Sequence, residues 1–136
     1  MKKISFDIGV QAYKLGQGVL RFHPGDPNLY ARFMEGAEQL RMVEQALEED
    51  SCEPLAALQN ADRQMKQILN GIFGPGNDFD AILGGVNLLA VAENGERVVT
   101  NLFAALEPVL VAGAEQCAGS AARAAEKKAK ARRQAQ

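Results

Sequence analysis

The chain has 136 residues, 47% of them hydrophobic and 24% charged, with one His, two Cys, no Trp and a formal net charge of −2. That length accommodates one domain with a modest core, and the two isolated thiols, Cys52 and Cys117, lack the CxxC spacing of a zinc ribbon, so both read as packing residues. No run approaches the roughly eighteen consecutive apolar residues of a membrane span, and Asp7 falls where a signal peptide would carry its apolar core, so the expectation is a soluble cytoplasmic protein with no membrane contact.

Residues 3–22 read as a β-hairpin: Ile4, Phe6 and Ile8 alternate with Ser5 and Asp7, and a second run from Tyr13 to Phe22 contains Gly16 and Gly18, which supply a turn, a bulge or both. A lone hairpin is marginal in water, so it must lie on the helices or pair with another subunit. The stretch Phe22-His23-Pro24-Gly25-Asp26-Pro27 then turns strand into helix. Pro24 and Gly25 end the strand, and Asp26 before Pro27 is an N-cap followed by proline at the first helical position. Phe22, Pro24, Asp26, Pro27, Tyr30 and Phe33 are therefore the candidate hinge residues, and His23, without a second His or a nearby Cys, reads as structural.

The first helix, 26–50, carries Leu29, Tyr30, Phe33, Met34, Ala37, Leu40 and Leu47 at spacings of mostly three or four. Asp50 and Ser51 offer caps and Pro54 a first-turn proline for a second helix, 53–73, with Leu55, Leu58, Ala61, Met65, Ile68, Leu69 and Ile72 on one side. It stops at Gly74-Pro75-Gly76. Asn77 or Asp78 can cap a third, mostly apolar helix, 78–92, and Glu93-Asn94-Gly95 makes a turn into a fourth, 96–119, which Pro108 should kink or restart. Beyond Ala118 the apolar side chains shrink to alanine, so residues 120–136 read as a frayed, basic tail outside a single domain of residues 1–119. The fold class that follows is mainly α with an N-terminal β-hairpin, an α+β arrangement of about four helices. The expected buried set is Phe22, Phe33, Leu40, Leu58, Met65, Ile68, Phe73, Val86, Leu89, Leu102 and Leu106.

Charge is divided unevenly. From Ser120 onward Arg123, Lys127, Lys128, Lys130, Arg132 and Arg133 stand against Glu126 alone, so the tail carries +5 and residues 1–119 carry −7. The acidic centre lies in residues 35–53, where Glu35, Glu38, Glu44, Glu48, Glu49, Asp50 and Glu53 face only Arg41. Neither GQG nor GPGND is a phosphate loop, and the spaced carboxylates of an oxygen cage are absent from the acidic run, which reads as a solvated helix face. Ser5, Ser51, Thr100 and Ser120 sit in no nucleophile motif, so the reading is a non-enzyme that needs no metal and no cofactor. The basic tail has no aromatic to stack a base, which favours a solubilising or partner-facing tail over a nucleic-acid one.

The succession FDIG, YKLG and VLRFHPGDPNLYARF, an acidic helix, MKQILNGIFGPG, an apolar segment with a Pro-containing helix and a Lys/Arg/Ala tail resembles the tail assembly chaperones of long-tailed phages and prophages. The resemblance covers most of the chain and is most specific at Arg21-Phe22, Pro24, Asp26, Tyr30, Phe33 and Ile72-Phe73-Gly74; His23 stands where the family pattern has asparagine. It implies a helical protein with an N-terminal β-hairpin, in the bacterial host cytoplasm, that binds the long tape measure protein, keeps it soluble and aids polymerisation of tail subunits, such as the major tail protein, around it; the hairpin edges and the excess of apolar helix surface predict a homo-oligomer, joined through strands or the last two helices. The fourth-helix residues Leu102, Phe103, Leu106, Val109 and Leu110 are the candidate partner-binding set. A second reading, of another class, is a small phage structural or nucleic-acid-binding adaptor working through the basic tail.

The resemblance also implies that the gene is read in two ways, a backward ribosomal slip near its end adding a longer C-terminal domain. Glu126-Lys127-Lys128 is encodable as GAA AAA AAG, which contains the slippery heptamer A AAA AAG. The expected result is that heptamer in the gene with an overlapping frame downstream; other codons at Lys127 and Lys128 would remove the slip and leave the rest standing.

Overall fold

The computed structural model describes residues 1–49 and 53–134. Among them run β1 (Gln11–Leu15), β2 (Gly18–Phe22), α1 (Pro27–Glu49), α2 (Pro54–Phe73), a one-turn α3 (Phe79–Ile82) and α4 (Val98–Gln134). The fold is mainly helical with an N-terminal antiparallel hairpin, as the sequence pattern predicts. The proposed caps Asp50 and Ser51, like Cys52, lie outside the described residues.

The hairpin is shorter than expected and lies in the second apolar run, starting two residues before it at Gln11. Gln11 pairs with Phe22 and Leu15 with Gly18, which leaves Gly16 and Gln17 as a two-residue loop. Gly16 has φ 57°, and a tight hairpin requires positive φ at that first loop position. Tyr13, Leu20 and Phe22 turn one face of the ribbon inward, whereas Ile4, Phe6 and Ile8, expected as the first strand, are 89%, 79% and 60% exposed in an extended arm that pairs with no described residue. Their alternation fits a strand, but among the described residues they form none.

The ribbon is fixed to the helices by an aromatic chain and an amide clamp. Tyr13 stacks on Phe22 at 4.6 Å, Phe22 meets Phe73 edge-on at 5.3 Å, and Phe73 meets Phe79 at 5.5 Å, so β1, β2, the end of α2 and α3 share one aromatic seam. Asn77, buried just after the Gly74-Pro75-Gly76 stop, donates to the carbonyls of Arg21 and Phe73 and accepts from the Arg21 N–H at 2.9 Å. The amide stands in for a third strand along β2. Asp78, the other cap candidate, takes the capping role by accepting from the Asp80 N–H.

The expected helix 78–92 is corrected to a single turn followed by successive turns. Gly84 and Gly85 take φ 62° and 78°, which ends helical propagation where the apolar pattern alone continues it. Adjacent Leu88 and Leu89 are then both buried, an arrangement irregular backbone permits, and Val86, expected in the core, is 44% exposed. Val91 and Arg97 bridge across the turn at Glu93-Asn94-Gly95.

α1 packs along α2 through Leu29, Phe33 and Leu40 against Ala61, Met65, Leu69 and Ile72. Leu58 and Ile68, expected to be largely buried, are half-buried at the margin, and Met34 and Leu55 face solvent. α4 also departs from expectation. It passes Pro108 without a break, because both Pro108 and Ala104 are exposed and the carbonyl freed by the missing N–H faces water. It then continues through the expected frayed tail to Gln134, fully exposed after Ser120.

Candidate functional site

The strand-to-helix corner forms as its residues dictate. The Asp26 carboxylate accepts from the Asn28 N–H at 3.0 Å and its carbonyl from the Tyr30 N–H at 3.1 Å, so α1 begins at Pro27 with its first turn satisfied. His23 Nδ1 accepts the Gly25 N–H at 3.0 Å, while its Nε2 edge packs on Gly9, where a Cβ would come within 2.6 Å of Nε2. Nδ1 is thus engaged in holding the corner and the rest of the ring packs on Gly9, and no group of metal-ligating residues surrounds it among the described residues. His23→Asn is expected to leave the melting curve nearly unchanged, since the asparagine oxygen accepts the same N–H. A loss above about 1 kcal/mol would show that ring packing, rather than the acceptor, holds the turn.

α4 crosses this corner at Gly113. A Cβ there would overlap the Pro24 carbonyl, so the helix and the corner touch backbone to backbone. Gly113→Ala should cost about 1–3 kcal/mol, at the upper end because the obstacle is main chain. Gly71→Ala, in the exposed interior of α2 with nothing within 4 Å, should instead stabilise by about 0.5–1 kcal/mol; comparing the two unfolding midpoints checks both.

Beyond Gly113 no described residue of α4 is buried; the 21 residues that follow it extend the helix by about 30 Å, and Cys117, Ala121 and Ala124 among them still line a groove against the corner. Ala114, Ala118, Ala122, Ala125 and Ala129 follow one another at spacings of three or four along this segment, continuing from Val111 a small apolar stripe on one side of the helix. Within the proposed partner-binding set, Leu102, Leu106 and Leu110 are buried in the core, and only Phe103 and Val109 remain half-exposed. The accessible part of the helix therefore lies one to three turns further on than the large apolar residues indicate.

The basic residues ride on the same segment but not on one face. Arg123, Lys127 and Lys130 share one side, whereas Lys128 and Arg132 lie opposite, and Lys130 sits 3.9 Å from Glu126. α4 also contains an 18-residue window of mean hydropathy 1.4, 28% of it buried within the fold.

A charged cluster that sequence reasoning missed braces α2 against α3 and the turns that follow it. Lys66, 6% exposed, places Nζ 2.9 Å from Asp62 and 2.6 Å from Asp80, and the Asp62 carboxylate also accepts the Leu88 N–H at 2.8 Å. The signal was the i, i+4 spacing of Asp62 and Lys66 beside the apolar positions of α2. The cluster joins α2, α3 and the turns before α4, and all its partners are satisfied internally.

Comparison of the chain with protein-family models, with curated proteins and with solved structures finds no match.

Proposed function

We propose that the chain is a tail assembly chaperone of the phage and prophage type, a non-enzymatic protein that holds a long helical client, the tape measure protein, in soluble form while tail subunits polymerise. The observation that carries this reading is the half of α4 beyond Gly113: a continuous helix without a buried described residue, carrying a small apolar stripe at three- and four-residue spacing. Such a stripe lets a client helix approach closely, and the −7 charge of the body keeps the complex dispersed. The hinge residues hold α4 and the hairpin together through the Pro24–Gly113 contact, so their role is to aim this half of the helix. The work calls for no cofactor.

The test is co-expression with the long open reading frame neighbouring the gene. Its product should move from the insoluble to the soluble fraction and co-purify with the chain, and Ala118→Glu with Ala122→Glu should abolish this while leaving the melting temperature of the isolated chain in place. No change in client solubility would overturn the proposal. Retention of duplex DNA, with an affinity falling steeply between low and moderate salt, would favour the adaptor reading instead; the spread of basic residues around the helix speaks against it.

A further inference from the structure

The chain contains a strand without an edge and an edge without a strand. Arg21 gives both its N–H and its carbonyl to Asn77, so these groups point away from β1, and its partner across the ladder is Ala12. Ala12–Arg21 is therefore a non-hydrogen-bonded pair, and the N–H and carbonyl groups of Ala12 and Lys14 face the opposite side, where no described backbone or side chain meets them. β2 is closed by the Asn77 amide; β1 is open.

Beside the open strand runs a groove of about 960 Å³ between β1 and α4, lined by Tyr13, Val109, Gly113, Cys117, Ala121 and Ala124 among others. It touches Gly9, Gln11 and Tyr13 around the start of β1 and the corner residues 23–27 that follow β2, so it lies at the end of the ribbon where the arm joins β1. A strand added to β1 with one apolar face would place that face over the groove. The arm of residues 2–10 has this character: Ile4, Phe6, Ile8 and Val10 are exposed at alternate positions, and Lys3, Ser5 and Asp7 occupy the other face.

We infer that the arm of one copy adds as a third strand to the open β1 edge of a second copy, its Ile4, Phe6 and Ile8 side chains covering the groove against α4. The arm enters β1 through a turn at Gly9, which has φ 81°, donates its N–H to the Asp7 carboxylate and packs on His23, so the arm is held away from its own edge and offered to a neighbour. Reciprocal exchange closes a two-fold dimer, and one-way exchange propagates a row of subunits. The inference rests on the hairpin and the arm and stands independently of the client proposed above.

Light scattering of the full chain should give at least twice the 14.6 kDa mass of one chain, and Phe6→Asp should return it to one chain. Phe6 is 79% exposed in the subunit, so the helical signal and the folding of the variant should persist. Because Cys117 lines the groove, a set of Ile4→Cys, Phe6→Cys and Ile8→Cys variants carrying Cys52→Ser should include one that oxidises to a disulfide-linked dimer, which Cys117→Ser prevents. A strict monomer, an assembly that Phe6→Asp leaves intact, or a cross-link formed only within one chain would each overturn the inference, the last by showing that the arm folds back onto its own edge.

Discussion

Phe33→Ala is expected to lower stability by about 3–5 kcal/mol, the cost of removing a buried phenylalanine and leaving a cavity that the surroundings fill only in part. Phe33 is 2% exposed in the first turns of α1 and meets Phe103 of α4 at 5.1 Å, so the truncation removes both core volume and an aromatic contact between the two helices. A loss of that size is a large share of the about 5–15 kcal/mol that holds a typical domain folded. Met34→Ala, one residue on but 52% exposed, should stay within about 0.5 kcal/mol. Urea unfolding followed by circular dichroism separates the two. Similar losses at both positions would mean that α1 is rotated from the face described above.

The corner around Phe33 was legible because its determinants are local. Asp26, Pro27 and the spacing of Leu29, Phe33 and Leu40 lie within one stretch and point the same way, so cap, first turn and buried face all appear where the pattern places them. The hairpin was legible in kind and misplaced in extent. Ile4, Phe6 and Ile8 alternate as well as Tyr13 and Leu15 do, and alternation records a need for a sheet without saying which chain provides it. The third helix differs for another reason: an apolar run from Phe79 to Val91 satisfies a helical template and a buried turn equally, and the Gly84-Gly85 pair decides for the turn. At α4 the expectation of a frayed tail followed from the absence of anything to bury. Alanine, lysine, arginine and glutamate instead continue the helix on intrinsic propensity, from a turn already nucleated by core packing. The capping residues of the corner were visible and the exposed face of α4 was not, since large apolar residues on a helix mark its core face first.

The Lys66 cluster leads to the second large effect. Replacing Lys66 with Met keeps the length of the side chain and removes the charge, leaving the Asp62 carboxylate, 14% exposed, without its cation. Breaking a buried ion pair from one side typically costs 3–5 kcal/mol, and a loss of about 3 kcal/mol is expected here because the second partner, Asp80, is 65% exposed and reaches water. Asp80→Asn, at that exposed end, should cost under about 1 kcal/mol. The cluster also sets a pH dependence. Burial pushes the Lys66 ammonium down from its ordinary range, but hydrogen bonds and charge from Asp80 and Asp62 outweigh it, and the net shift is upward. A raised folded-state pKa contributes stability that is fully present below the unfolded lysine value of about 10.4 and is lost as pH rises through the higher folded value. The wild-type chain should therefore hold its stability up to about pH 10 and lose part of it above that, whereas Lys66→Met should begin lower and lack this component of the alkaline decline. Denaturant midpoints measured across that range for the two proteins decide the matter: parallel curves would show that the ammonium is not what ties α2 to the turns around Leu88.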